Sequence, residues 1–213
     1  MERSGRAGVG VVGRGFGEDA ADAAKTRADI LAKATELFAE KGYADTSARE
    51  ISAAAGVTVG AMFHHFESKL ALFENVFEVL ELKMDAQAKA ASKPELGLGV
   101  LETFLAGVRT SLDFAEQSDF HRIVFVEAPV VLGEDKWREV DSRLGLKTVM
   151  AGTRALIAGG LIAEQPLKPV AILLLGAMNA AGFAIARGED GIDKDALVDG
   201  LRLLITGPER KSK

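Results

Sequence analysis

Apolar positions recur every three to four residues along almost the whole chain from Lys25 onward. That is the period of helices that each bury one face. Ile30, Ala34, Leu37 and Phe38 share one such face, and Gly42 followed by Tyr43 ends the helix. Thr46 or Ser47 can cap the next helix, and Glu50 stands three residues after Ser47, the spacing of a capping box. Ile51, Ala54 and Ala55 form its apolar side before Gly56 breaks it. Thr58 can cap a short third helix through His64. Ser68 can cap a fourth, with the stripe Leu70, Phe73, Val76, Phe77 and Leu80. Two short helices therefore flank a glycine turn, the arrangement of a helix-turn-helix. Ile51, Ala55, Val57, Met62 and Phe66 are expected to share one small core, leaving Arg49, Thr58 and His64 outside.

The helical period continues. Leu98, Leu101, Leu105, Val108 and Leu112 line a helix over 96–114, His121–Leu132 is strongly apolar with a kink or end expected at Pro129, and Trp137–Ala158 forms another long helix. Pro166 and Pro169 open the next, Gly188 to Gly191 interrupt the chain, and Leu197, Leu201 and Leu204 mark the last. Strict alternation occurs nowhere, so the fold class is all-α, with about nine helices. The expected division is a flexible glycine-rich tail over 1–24, a three-helix helix-turn-helix domain over 25–72, a larger helical ligand-binding and dimerisation domain over 73–207, and a tail over 208–213. The apolar run Val170–Ala186 is slightly short for a membrane span and contains Asn179, so it reads as a buried helix. No membrane partner and a cytoplasmic location are expected.

Net charge removes some functions. At −5 the chain lacks the basic surface of a protein that coats nucleic acid, although a specific binder needs only local phosphate contacts. Cysteine is absent, which excludes disulfides and thiolate chemistry. Gly8, Gly10 and Gly13 spell a G-x-G-x-x-G, but no strand precedes it and no helix is expected after it, so no dinucleotide cofactor is expected. No metalloprotease motif or nucleophile elbow occurs, and an enzyme is not expected. No metal site is expected either, because the only histidine besides His64 and His65 is His121.

Residues 26–76 carry a dense resemblance to the DNA-binding domain of the TetR family of repressors. It runs through Thr26-Arg27, Ile30-Leu31, Leu37-Phe38, Gly42-Tyr43, Thr46-Ser47, Ile51, Ala54-Ala55-Gly56-Val57, Gly60, His64-His65-Phe66, Ser68-Lys69 and Leu72-Phe73. The resemblance implies a homodimer whose two recognition helices enter successive major grooves of a palindromic operator. It also implies release from DNA when a small molecule binds the larger domain. This chain departs from the pattern at Val59, where many members carry lysine, and at Phe63, where they usually carry tyrosine.

On this basis Thr58, Val59 and Gly60 open the recognition helix and face the bases, with Thr58 either contacting a base or capping the helix. Phe63 packs on the sugar backbone or is plain core. His64 and His65 close the helix, and the resemblance places His65 on a phosphate. Lys69 is expected on a phosphate, Thr46, Ser47 and Arg49 form a second anchor, and Lys25 and Arg27 reach the backbone or minor groove. Gly176, Ala180 and Ala184 recur every four residues and, with Leu197, Leu201 and Leu204, are expected to build a four-helix dimer interface. The alternative is packing within one chain.

A pocket is expected among the helices of 96–187. Phe104, Phe114, Phe120, Phe125, Trp137, Met150, Met178 and Phe183 supply walls, and Arg109, His121, Glu127, Arg154 and Asn179 supply polar groups. The excess of apolar walls points to a hydrophobic or aromatic effector. Asn179 needs a partner if buried: a ligand, a second subunit or a backbone carbonyl. A competing reading is a helix-turn-helix regulator with no small-molecule input, for which the second domain would be fully packed.

Overall fold

The computed structural model describes residues 16–93 and 97–207. Ten α-helices follow one another: α1 Phe16–Lys41, α2 Ala48–Ala54, α3 Val59–His65, α4 Lys69–Ala91, α5 Val100–Ala115, α6 Ser118–Phe120, α7 Ala128–Val131, α8 Glu134–Ala158, α9 Leu167–Ala186 and α10 Lys194–Thr206. A π-helical segment, His121–Glu127, joins α6 to α7 without a break. Taking that run as one rod, the described residues form nine helical rods and no strand.

The caps follow the side chains that the sequence supplies. Ser47 caps α2 in a complete capping box with Glu50, and Glu50 also pairs with Lys41 at 2.8 Å. Thr58, Ser68 and Asp193 each accept a hydrogen bond from the backbone N–H three residues on, at the starts of α3, α4 and α10. Two boundaries differ from expectation. The first helix begins at Phe16 rather than near Lys25, because the alanine-rich run after Gly17 favours helix and contains no breaker. The glycines at 8, 10 and 13 lie outside the described residues. The supposed domain boundary at 72 falls inside α4, whose stripe continues unbroken to Ala88.

Pro129 does not end its helix; it sits in the first turn of α7, just after the π-helical segment. In that segment each N–H reaches back five residues, as Ala128 does to the Ile123 carbonyl. Pro129 has no N–H for the Val124 carbonyl, and the indole Nε1 of Trp137 donates there instead, at 2.9 Å. The wider turn is thus satisfied by a side chain of the following helix.

One core runs from the head into the body. Ile30, Phe38, Ile51, Met62, Leu72, Phe73, Val76 and Phe77 are fully buried, and the Phe38 and Phe73 rings meet edge-on at 5.1 Å. Each such aromatic contributes about 1.5–3 kcal/mol by leaving water. The core continues through Phe114, Phe120, Ile123, Val124 and Trp137. A second cluster joins α5, α8 and α10 around Leu105, Leu112, Leu156, Val198 and Leu201. The body is a bundle of α4, α5, α8 and α9, with α10 laid on α5.

Candidate nucleic-acid interface and interior cavity

The turn between α2 and α3 is set by Gly56 at φ +67 and by a bond from the Val57 N–H to the Ser52 carbonyl at 2.9 Å. Met62 anchors α3 in the core. Thr58, Val59, Gly60, Phe63 and His64 face solvent, and His65 is half-buried. Phe63 is 41 % exposed and is therefore not core. The Thr58 hydroxyl oxygen accepts from the Ala61 N–H at 3.0 Å, which leaves its proton free to donate outward. A methyl group added at Gly60 would meet only the Thr58 hydroxyl, at 3.9 Å. The fold does not need glycine there, although glycine costs a helix up to about 1 kcal/mol against alanine. Its use fits a helix that something outside approaches closely.

The flanking anchors divide. Ser47 and Arg49 are exposed, and Arg49 has no partner among the described residues; Lys25 is exposed on α1. Thr46 is a correction. It is fully buried, and its hydroxyl donates to the carbonyls of Gly42 (2.8 Å) and Leu37 (3.2 Å), so it closes the end of α1 rather than touching DNA. Lys69 is also occupied. Its ammonium donates to the carbonyls of Tyr43 and Thr46 at 2.8 and 2.9 Å and lies 4.1 Å from the Tyr43 ring centre. The loop carbonyls have no helical donors, and lysine supplies them, leaving one N–H of three for a phosphate. Arg27 is half-buried, donates to Asn75 Oδ1 and lies over the Phe66 ring, so it braces α1 against α4.

Between α4, α5, α8, α9 and the π-helical segment lies a cavity of about 520 Å³. Of the expected wall and polar residues, Phe104, Phe120, Phe125, Trp137, Met178 and Asn179 line it. The others do not. Arg109 pairs with Asp195 at the surface, and Arg154 is exposed on α8. Met150 packs on the small cluster of Val149, Ala171 and Leu175. Phe183 stands behind the wall, 4.9 Å from Phe125 and 5.3 Å from Trp137, and Phe114 stacks edge-on against Phe120. His121 begins the π-helical segment without reaching the cavity.

The cavity holds three acids that the sequence reading missed: Glu81 and Asp85 on α4 and Asp141 on α8, all buried. The Asn179 amide donates to Asp141 Oδ2 at 2.7 Å, a partner outside the three considered. Asp85 pairs with Lys89 and accepts from the Thr148 hydroxyl. Glu81 has no hydrogen-bond or ion-pair partner among the described residues. Burial above all, with the nearby Asp141 and Asp85 charges, pushes its carboxyl up to about 8. Burial raises Asp141 to about 6, opposed by the Asn179 bond and by the Arg138 charge. A signal was present. Phe73, Phe77, Glu81 and Asp85 follow one another at four-residue spacing, as do Trp137, Asp141 and Gly145, so the acids fall on apolar stripes. No group of three or more metal-ligating side chains occurs among the described residues.

Residues 30–76 match the family model for bacterial regulatory proteins of the tetR family, and residues 101–208 match that of a tetracyclin repressor-like C-terminal domain. The chain belongs to the TetR family. The HTH-type transcriptional repressor BepR of Brucella suis is 28 % identical over 87 % of this chain and 91 % of its own length. The HTH-type transcriptional regulator AcrR of Shigella flexneri is 36 % identical over 49 % of this chain, which spans about half (53 %) of that relative. A crystallised TetR-family transcriptional regulator from Pectobacterium atrosepticum superposes with a TM-score of 0.73 at 34 % identity, covering 87 % of this chain and 94 % of its own. The transcriptional regulator FadR of Bacillus subtilis, solved in complex with stearoyl-CoA, shares the fold at TM-score 0.68 and 18 % identity, covering 84 % and 98 %.

In this TetR-family regulator α9 is 20 residues long and apolar enough to cross a membrane by length and composition, yet only about a third of its most apolar stretch is buried. The expectation of a buried helix is thus met on one side alone. Gly176 and Ala180 face outward, as expected, beside Leu173, which is 73 % exposed. On α10, Leu204 is 79 % exposed and Leu203 is exposed next to it. Ala184, Leu197 and Leu201 correct the expectation. Ala184 is buried within the chain, and Leu197 and Leu201 turn inward onto α5, because the 197–201–205 stripe is the one that holds α10 to the bundle.

Proposed function

We propose that this TetR-family regulator is a repressor that binds a palindromic operator as a homodimer and leaves it when a small molecule with an apolar body enters the cavity. In this reading it acts in the cytoplasm and catalyses nothing. The observation that carries it is the coupling between cavity and head. Helix α4 runs from Lys69, bonded to the loop below α1, to Glu81, Asp85 and Ala88 on the cavity wall. Twelve residues of helix from Lys69 to Glu81 span about 18 Å. The π-helical segment makes a second link. Its Phe125 lines the cavity, while Glu127 accepts from the Tyr43 N–H at 3.3 Å and Arg122 donates to the Glu40 carbonyl at 3.1 Å. A ligand that presses on α4 and on Phe125 would therefore move both supports of the head.

Two heads must present α3 about 34 Å apart, or a multiple of that, to enter successive major grooves. The exposed apolar faces of α9 and α10 are the surfaces that a second copy would cover, since water is an unfavourable neighbour for a face this apolar. Thr58, Val59, Gly60, Phe63 and His64 would meet the bases and adjoining sugars, with Ser47, Arg49, His65 and Lys25 on phosphates. The cavity favours this reading over a regulator without small-molecule input, whose second domain would be packed.

Selection of bound duplexes from a random-sequence pool tests the DNA function. Enrichment of an inverted repeat is the expected result. Enrichment of no sequence, or of an asymmetric site only, would contradict it.

A further inference from the structure

We infer that the cavity takes an organic cation: an apolar, preferably aromatic body with a positively charged nitrogen seated against Glu81. The inference deepens the ligand-release reading and rests on it for its regulatory consequence. Glu81 is only 3 % exposed, lines the cavity and has no partner among the described residues. An acid so placed faces the empty space rather than the protein. Asp85 and Asp141 stand on the same cavity, but each is already engaged, by Lys89 with Thr148 and by Asn179. Among the described residues, Glu81 is the acid of this cavity left without a counter-charge.

The charges facing this volume come from two of the neighbouring helices. Helix α4 brings Glu81, Asp85 and Lys89, and α8 brings Asp141 and Lys147, with Arg138 acting on Asp141. The lining from α5 and α9 carries no charge; it offers Thr103, Ser111 and Asn179. Lys89 is bound to Asp85, and Lys147 is exposed. The aromatic rings of Phe104, Phe120, Phe125 and Trp137 complete the surround. Aromatic faces attract cations, and a desolvated carboxylate attracts them more strongly. A carboxylate or phosphate ligand would instead meet three acids at close range. A neutral ligand would leave Glu81 holding its proton.

Seating a cation converts Glu81 to the charged form, so binding expels a proton wherever Glu81 was protonated beforehand. With the free carboxyl near 8, cation affinity rises with pH up to that point and then levels.

Trp137 is the chain's single tryptophan and lies on the cavity wall, so its fluorescence reads binding directly. The full-length protein is titrated with (4-phenylbutyl)trimethylammonium, 4-phenylbutanol and 5-phenylpentanoate, which share the phenylbutyl body and differ in the head group and its charge. The cation carries a permanent charge, so any pH dependence belongs to the protein. The expected order at pH 8.5 is cation tighter than alcohol by about tenfold or more, and alcohol tighter than anion. Cation affinity should rise with pH from about 7 to about 8, above the range in which Asp141 titrates, by a factor no larger than its preference over the alcohol. Glu81→Gln should bring the cation down to the alcohol and flatten the pH profile, while unchanged alcohol binding shows that the variant folds. The inference is overturned if the alcohol or the anion binds as tightly as the cation, if E81Q keeps the preference, or if the cation fails to bind at about 1 mM. Release of operator DNA is read separately, by anisotropy. A cation that binds at Glu81 without releasing DNA refutes the ligand-release reading and leaves the cation site standing.

Discussion

Gly60→Ala separates what the fold needs from what DNA needs. Gly60 is the second residue of α3 and is exposed, and an added methyl would find only the Thr58 hydroxyl at 3.9 Å, an ordinary contact. Replacing glycine by alanine in a helix is worth up to about 1 kcal/mol; near the end of a seven-residue helix about half of that is a fair expectation. For a chain of this size 1 kcal/mol corresponds to about 2–4 °C in Tm, so a rise of about 1–2 °C is expected. If α3 lies in the major groove with its backbone close to the bases, the same methyl occupies space that DNA requires. Loss of at least about tenfold in operator affinity, or 1.4 kcal/mol, is expected. Thermal unfolding and fluorescence anisotropy on a selected operator measure the two quantities on one preparation. A variant that is more stable and binds DNA undiminished would refute the close approach of α3. A less stable variant would refute the claim that the space above Gly60 is open.

Four further outcomes follow from named contacts. Thr46→Val should cost about 1–2 kcal/mol in urea unfolding, because it leaves the Leu37 and Gly42 carbonyls short of a buried donor, yet it should leave the salt dependence of DNA binding unchanged. Gly42→Ala should cost about 1–2 kcal/mol, since Gly42 holds φ +86, while the ends of the Glu127 and Arg122 side chains that an added methyl would meet can move aside; a stability loss below about 0.5 kcal/mol would refute the need for a left-handed residue there. Leu204→Glu should turn a dimer into a monomer in sedimentation velocity at micromolar protein, and an unchanged mass would remove α10 from the interface. Glu81 bears on stability as well as binding. Its folded-state carboxyl lies above the unfolded value of 4.5, so the folded protein loses stability as pH rises from 4.5 through about 8. The shift corresponds to a loss on the order of 5 kcal/mol, and Glu81→Gln should therefore raise Tm most at pH 8–9 and least near pH 5; equal gains at both would contradict it.

Much of the head was legible in the sequence because caps and breakers there are explicit. Ser47 with Glu50, Thr58 and Ser68 all do what their positions suggest. The misreading there is Thr46, and Lys69 is engaged in part for the same reason. Both are residue types that suit a phosphate, but the loop after α1 exposes carbonyls that only a neighbouring side chain could satisfy, and such a need is three-dimensional. The body was harder. Small and apolar residues on α9 and α10 look alike whether they face the bundle or a second copy, so Ala184 and Leu201 were placed outside and Leu173 was passed over. The buried acids were missed because an acid in a helix is ordinarily a solvent residue. Only its phase on the Phe73–Phe77 stripe marks Glu81 as different. The π-helical segment depends on Trp137 reaching Val124 across a turn, which no local pattern encodes.

Native mass spectrometry of the full-length protein on a selected duplex tests the central claim most directly. The account predicts two chains, or a multiple of two, on each inverted repeat, and about a hundredfold or greater loss of affinity when one half-site is scrambled. A single chain bound to one half-site, with affinity unaffected by loss of the other, would contradict it.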